Sequence, residues 1–281
     1  MTEPRFHAPE RLDEAIRLLA ADEDARPLAG GQTLVAMLNA ELLSPSQLVS
    51  LHRIAALRGI EKRADGAMRI GAMTTPASLA RSEALRGVHR LFADAAGRIA
   101  HEAIRNRGTL GGAVAHADPS ADYPPVLVAL DAVIEAVGPA GKREIAAVDF
   151  FQGFLTTALE PGELIAAIIL PPGSGQARTH YEKFARVEGD FATVSVAVAL
   201  AGNGARVALG GVGPVPVRLT EAEASLNQGR LSDEAIAAAG VLLVAASDPI
   251  DDVRGSADYR RLIIPRLVRR AIRTAEARTA R

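Results

Sequence analysis

The sequence contains no cysteine and no tryptophan, few aromatic residues of any kind (4%), and almost no net charge (−1). Each shortage excludes something. Without cysteine the chain forms no disulfide, no thiolate-held iron–sulfur cluster of its own, no cysteine zinc site and no thiol nucleophile. The balance of 32 basic and 33 acidic residues argues against a dedicated nucleic-acid binder. Scarce aromatics remove a base-stacking platform. The longest apolar runs, such as FATVSVAVALAG, fall short of the ~18–20 residues a membrane helix needs. The N-terminus, MTEPRFHAPERLDE, lacks the basic segment and apolar stretch of a signal peptide. A soluble, cytoplasmic protein is expected.

Several motifs are also missing. No G-x-G-x-x-G follows a strand, and no G-x-x-x-x-G-K-[ST] occurs. The segment HEAIR at 101–105 ends in Arg105 where a zinc protease needs histidine, and GSG at 173–175 is no nucleophile elbow. The six histidines show no metal-ligand spacing. Nothing here indicates a hydrolase or a metal centre.

What is present is a chain of 281 residues, 48% of them apolar, enough for one large domain or two ordinary ones. Helical spacing runs over 9–21, where Leu12, Ala15, Ile16, Leu19 and Ala20 share a face. RPLAGG reads as a short strand ending in glycines, 33–43 as a helix and 47–51 as a buried strand. Further strands are expected at 68–73, 132–137, 143–148 and 163–170, with helical patterning at 75–100 and 123–130. Residues 104–122 are rich in glycine and small residues and break every periodicity. PPGSGQ at 171–176 reads as a linker. Beyond it, two strands joined by a GNG turn at 202–204 precede helices at about 219–226, 232–245 and 256–275. The expected division is 1–174 and 177–281.

Two glycine pairs carry the chemistry. Gly30-Gly31 and Gly111-Gly112 each have a hydroxyl residue nearby, Thr33 and Thr109. Glycine lets unpaired backbone N–H groups converge on a phosphate with no side chain in the way. Either pair alone also reads as a plain strand-to-helix turn. Two such loops in one chain can grip a pyrophosphate from both sides. Downstream, Asp118 suits a helix N-cap before Pro119, whereas Asp122 suits a carboxylate that accepts hydrogen bonds from sugar or ribityl hydroxyls. In YEKFARVEGDFA at 181–192, Lys183, Arg186 and Asp190 lie beside a buried strand, either as a solvated edge or with a cation placed near a redox ring. Arg105 and Arg107 read as surface charges or loop anchors.

The segments LAGGQTLVAML, RIGAMTT, IRNRGTLGGAVAHADPSADYPPVLVALDA, FFQGFLTTAL, YEKFARVEGDFATVSVA, GGVGPVPVRL and YRRLIIPRLVRRAI occur in this order over nearly the full length. Together they resemble the FAD-binding medium subunit of the molybdenum hydroxylases, of the aerobic carbon monoxide dehydrogenase and xanthine dehydrogenase type. The resemblance implies an α+β chain. Its parts would be a vanillyl-alcohol-oxidase-type (PCMH-like) FAD-binding domain and a small C-terminal domain with a three-stranded sheet plus helices. It implies a cofactor-binding set of Leu28, Ala29, Gly30, Gly31, Gln32, Thr33, Ile104, Asn106, Thr109, Gly111, Gly112, Asp118, Asp122, Ile165, Lys183 and Phe191, with no catalytic residue and no metal ligand. Within it, Ala29–Thr33 and Thr109–Gly112 would hold the FAD pyrophosphate, and Asp122 would bond within the ribityl–phosphate region. Ile165, Lys183 and Phe191 would lie near the flavin ring. Many relatives carry asparagine after the second glycine pair, where this chain has Ala113, so a side-chain contact would be lost there while the backbone contacts remain.

The implied function is electron transfer. A large molybdenum-cofactor subunit would oxidise the substrate. Electrons would reach FAD here through 2Fe–2S clusters on a small subunit and leave to an external acceptor, with the complex a dimer of heterotrimers. The absence of cysteine agrees with that division of labour. A self-sufficient flavin oxidoreductase would need its own base, and no histidine or paired carboxylates suit; a non-catalytic interaction protein would not need both glycine loops.

Overall fold

A computed structural model describes residues 3–173, 175–202, 204–227 and 231–278. The N-terminal half opens with β1 (Arg5–His7), α1 (Leu12–Ala20), β2 (Ala25–Leu28), α2 (Leu34–Asn39) and β3 (Gln47–Ser50). The three strands form a parallel sheet in the order β1-β3-β2, as the alternation of strand and helix leads one to expect. Ala15, Ile16 and Leu19 of α1 pack onto Val49 and Leu51, sealing a small core.

Next come β4 (Ile60–Lys62), β5 (Met68–Gly71), α3 (Pro76–Ala80), α4 (Arg90–Gly97), α5 (Glu102–Arg105), α6 (Leu110–His116) and α7 (Tyr123–Ala129). They lead into β6 (Val133–Gly138), β7 (Gly141–Ala146), α8 (Ala147–Phe150), the hairpin β8 (Phe151–Gly153) and β9 (Thr156–Thr157), and β10 (Leu164–Leu170). Strands β4-β5-β10-β6-β7 make an antiparallel sheet. A bulge between Ile165 and Ala167 shifts the phase of β10. Hence Leu164 and Ala166 face the small core, while Ile165, Ile168 and Leu170 join the main one.

Two short helices stand where the sequence shows no periodicity. Helix α6 is fixed by its ends: the Thr109 hydroxyl accepts from the Gly112 N–H, and Ala117 closes it in the left-handed region at φ 51°. Helix α5 is a single turn. At one or two turns, capping and packing decide what periodicity cannot.

The C-terminal half holds β11 (Arg178–Phe184), β12 (Val194–Ala201), β13 (Gly204–Gly210) and β14 (Val217–Arg218) in one antiparallel sheet, then α9 (Thr220–Leu226), α10 (Asp233–Ala245) and α11 (Ala257–Ala277). The expected three long strands gain a two-residue fourth at the edge. The expected linker and turn include residues 174 and 203, which lie outside the described residues. Period-two alternation sorts the sheet's faces. Val194, Val196, Val198 and Leu200 face the C-terminal helices. Ala197 and Ala199 turn to the other face, where small side chains let α7 and the Phe92–Tyr123 stack of α4 and α7 approach. Helices α4 and α7 are thus held between the two larger sheets.

One ion pair of this frame reports on pH. Glu163 accepts from Arg143 through both carboxylate oxygens, at 2.7 and 2.8 Å, and from the Glu160 N–H. The Arg143 guanidinium holds the Glu163 carboxyl below its ordinary value. A lowered folded pKa gives stability that is present above the ordinary carboxylate range and lost as pH falls through the folded value. Glu163→Gln should therefore be less stable than the parent at pH 7, with the difference shrinking to nothing in strong acid. Urea titrations at a series of pH values measure this.

Candidate FAD site

The first glycine loop leaves β2 at Leu28 and enters α2 through Thr33. Gly31 has φ 72°, a conformation that favours glycine. The Gln32 side chain donates back to the Gly30 carbonyl at 3.2 Å. Gly30 lies directly on the second loop: a Cβ there would stand 2.4 Å from the Arg107 carbonyl oxygen and 2.8 Å from the Gly108 Cα. Among the described residues, the backbone N–H groups of Gly30, Gly31, Gln32, Thr33 and Thr109 have no acceptor within the chain. Orphan donors gathered at one place need an outside acceptor, and a phosphate satisfies several at once.

The second pair works differently from the first. The Gly111 N–H is already given to Ala72 O at 2.7 Å, and the Gly112 N–H to the Thr109 hydroxyl at 3.2 Å. A Cβ on Gly111 would stand 2.6 Å from the Ala72 Cβ. Gly111 therefore serves close packing of α6 against the 72–74 segment, where Leu110 also donates to Thr74 O, while a Cβ on Gly112 would stand 2.9 Å from the Thr109 hydroxyl oxygen and 3.7 Å from the Ala29 Cβ. Of Thr109–Gly112, only the Thr109 amide is open. Ile104, on α5, receives the N–H groups of Arg107 and Gly108 at its carbonyl, which bends the chain toward Gly30; Asn106 is the residue that ends α5. Arg105 is a loop anchor, donating to the Ile99 and Ala100 carbonyls at 2.9 and 2.6 Å.

Asp118 is not a helix cap. Its carboxylate accepts the Ser120 N–H at 2.8 Å, and the helix begins only at Tyr123, with Asp122 in the cap position. The competing local bond to Ser120 is the turn that Asp before Pro favours. Asp122 is buried, 6% exposed, with Oδ1 accepting from the Tyr181 hydroxyl at 2.6 Å and Oδ2 from Lys183 Nζ at 3.0 Å. Burial pushes the Asp122 carboxyl up, against the pull of Lys183 and Tyr181. Lys183 also donates to the Arg98 carbonyl at 3.1 Å.

Lys183 opens onto a cleft of about 330 Å³ lined by Arg98, Ala185, Arg186, Val187, Glu188 and Gly189. The segment from Arg98 to Gly112 runs from this cleft to the glycine loops, tied down midway by Arg105. Arg186 pairs with Asp190 at 2.9 Å, and this guanidinium holds the Asp190 carboxyl below its ordinary value. Phe191 is 42% exposed, with the Arg254 guanidinium over its ring at 5.1 Å. Ile165 is buried in the main core.

Residues 2–173 match the family model described as the FAD-binding domain in molybdopterin dehydrogenase, and residues 179–275 the CO dehydrogenase flavoprotein C-terminal domain. The chain belongs to the FAD-binding medium subunits of the molybdenum hydroxylases. It is 36% identical to the carbon monoxide dehydrogenase medium chain of Hydrogenophaga pseudoflava, with both chains covered completely. It is 36% identical to the nicotine 6-hydroxylase medium subunit of Paenarthrobacter nicotinovorans, over 98% of each chain. A chain of the solved structure of carbon monoxide dehydrogenase from Hydrogenophaga pseudoflava, which lacks the Mo-pyranopterin moiety of the molybdenum cofactor, superposes with a TM-score of 0.94 at 38% identity, covering all of both chains. This medium subunit is thus an oxidoreductase component with FAD as its cofactor. Among the described residues no group of His, Asp and Glu could hold a metal ion, and no helix is long and apolar enough to cross a membrane.

Tyr181 and Arg98 were not singled out by sequence. A tyrosine in an apolar strand reads as core. The available signal was spacing: Tyr181 and Lys183, two apart on a strand, share a face.

Proposed function

We propose that this chain is the electron-transfer flavoprotein subunit of a molybdenum-containing hydroxylase complex. Bound FAD would supply the redox chemistry between 2Fe–2S clusters on a partner and an external acceptor. The chain's own part is to hold and orient the cofactor. The single observation that carries the reading is the set of orphan amides at Gly30–Thr33, with Gly30 pressed against Arg107 and Gly108. On this reading Ala29–Thr33 and Thr109 hold the pyrophosphate, with Leu28, Ile104, Asn106, Gly111, Gly112 and Asp118 shaping the loops that carry it. Asp122 belongs to the ribityl–phosphate region, and Ile165, Lys183 and Phe191 to the ring side. Lys183, Arg98 and Arg186 bring cations to the cleft, where negative charge on a ring would be stabilised.

The partners are a large molybdenum-cofactor subunit and a small 2Fe–2S subunit, assembled as a dimer of heterotrimers in the cytoplasm. The absence of cysteine supports this, because the clusters must sit on another chain. The two units are residues 1–174 and 177–281, supported by the family matches at 2–173 and 179–275. Affinity purification of the tagged chain from its native source tests the assembly. The expected result is a brown, flavin-containing complex with a cysteine-rich small chain and a large molybdenum-bearing chain. Substrate turnover by the purified single chain, without partners, would instead make it a self-sufficient oxidoreductase.

A further inference from the structure

The stretch from Arg98 to Thr109 joins the cleft to the glycine loops. Its middle is α5, and Arg105, the last residue of that turn, reaches back over the chain before it. One guanidinium nitrogen, Nη1, donates to the Ile99 and Ala100 carbonyls at 2.9 and 2.6 Å. The stretch is therefore braced across itself and is not a slack tether. Ala100 has φ 42°, a left-handed conformation that an alanine keeps only where its surroundings hold it. Gly189 rests on the same Ala100 carbonyl: a Cβ on Gly189, itself at φ 83°, would stand 2.9 Å from the Ala100 oxygen and 3.0 Å from the carbonyl carbon. Gly189 lies inside a turn closed by the Asp190 N–H on the Val187 carbonyl at 3.2 Å, and Val187, Glu188 and Gly189 line the cleft. At its other end the stretch bears on Gly30 through the Arg107 carbonyl and Gly108. Each end is thus a backbone-to-backbone contact that glycine permits, and Arg105 braces the segment between them.

We infer that Arg105 is a positioning residue that couples the two ends of the site: filling the phosphate end seats the 187–190 turn on Ala100, so the cleft wall is complete only in the loaded chain. This rests on the FAD site proposed above and adds an order of events to it. The two states are the turn seated on Ala100 and the turn detached. A phosphate held by the amides of Gly30–Thr33 fixes that loop, and through the Gly30 contact it fixes Arg107 and Gly108. Arg105 passes this fixation to Ala100, and Ala100 to Gly189. Coupling of this kind needs two sites and one element that both of them bias, and the 187–190 turn is that element.

ADP is the probe that separates the two ends. It carries a diphosphate and no flavin, so it can fill the phosphate end without touching the cleft. The experiment is hydrogen exchange on the full chain stripped of cofactor, with and without saturating ADP. It is read over 186–192, which holds the Asp190 amide, and over 30–33. The variants are Arg105→Met, Arg105→Lys and Gly189→Ala. A purely structural Arg105 would loosen 186–192 equally with and without ADP, and the ratio of the two rates would stay at the parent value.

In the parent, ADP should slow exchange over 186–192 about fivefold, the equivalent of one hydrogen bond. Arg105→Met should still bind ADP and still show protection at 30–33, whose amides do not involve Arg105, but the slowing at 186–192 should vanish. Arg105→Lys, whose ammonium can still reach a carbonyl, should keep part of it. Gly189→Ala should lose it too, although that residue touches neither glycine loop. Slowing that persists in Arg105→Met or in Gly189→Ala, or that is missing from the parent with ADP bound, overturns the inference. If Arg105→Met does not fold, Gly189→Ala and Arg105→Lys decide. A parent chain that binds neither ADP nor FAD overturns the underlying site assignment instead.

Discussion

Gly30→Ala should yield folded protein that purifies nearly colourless. The added Cβ would stand 2.4 Å from the Arg107 carbonyl oxygen, 2.8 Å from the Gly108 Cα and 3.0 Å from the Gly108 carbonyl carbon. All three are backbone atoms, so no flexible side chain can swing away. One loop must retreat from the other, and the orphan amides of Gly30–Thr33 separate from that of Thr109. Gly30–Thr33 lie outside all three buried cores, with only Ala29 packed against the small one, so global stability should fall little. Losing two or three charge-assisted hydrogen bonds to a phosphate costs about 3–5 kcal/mol, or more than a hundredfold in FAD affinity. Fluorescence titration of stripped protein with FAD measures it. Gly31→Ala is the control: its cost is about 1–2 kcal/mol of left-handed backbone strain, while its Cβ would meet only the Val35 and Leu28 side chains, at 3.2 and 3.6 Å. Undiminished binding by Gly30→Ala would show that the juxtaposed loops do not hold the cofactor.

Arg260→Met should be the most destabilising single change in the C-terminal half. Arg260 is 2% exposed on α11. Its guanidinium donates to the Thr193 carbonyl, to the Gly211 carbonyl at 2.9 Å and to the Asp252 carboxylate at 2.5 Å. Methionine keeps the apolar stem but leaves the two buried carbonyls without this donor, while Asp252 keeps the Arg254 amide and guanidinium. Leaving two buried acceptors unsatisfied in this way costs about 2–5 kcal/mol. For a chain of this size that corresponds to a drop of roughly 10 °C in Tm, readable by calorimetry. The consequence should be local as well. Residues 190–194 and 252–256 share this anchor, together with the Arg254–Phe191 contact, and hydrogen exchange there should quicken ahead of the rest.

Much of this architecture could be read from sequence because strand and helix periods are written plainly in it. VSVAVALA sets large residues on one face and small ones on the other, and LIAAIIL is apolar throughout because both its faces are covered. What could not be read lies where local bonds, not periods, decide. Helices α5 and α6 depend on caps and on Gly111 fitting against Ala72. Asp118 turned on Ser120 where a cap was expected, since both uses of an Asp-Pro step look alike in sequence. The two glycine pairs looked equivalent, yet the first offers free amides and the second spends its own on packing. That difference comes from the 72–74 segment, far from either loop in the chain. Lys183 was visible as a candidate, but Tyr181 gained meaning only when folding brought Asp122 beneath it.

The Asp122–Lys183 pair also bears on how the chain is made. On a ribosome Asp122 emerges 61 residues before the lysine that neutralises it, and before the Tyr181 hydroxyl that shares it. Until then, the nascent N-terminal half has a carboxylate at a position it cannot bury cheaply. Helix α7 therefore completes its packing only after β11 arrives, although domains synthesised first generally fold first. Two halves expressed as separate polypeptides would each carry one uncompensated charge, and should become soluble and compact only when produced together.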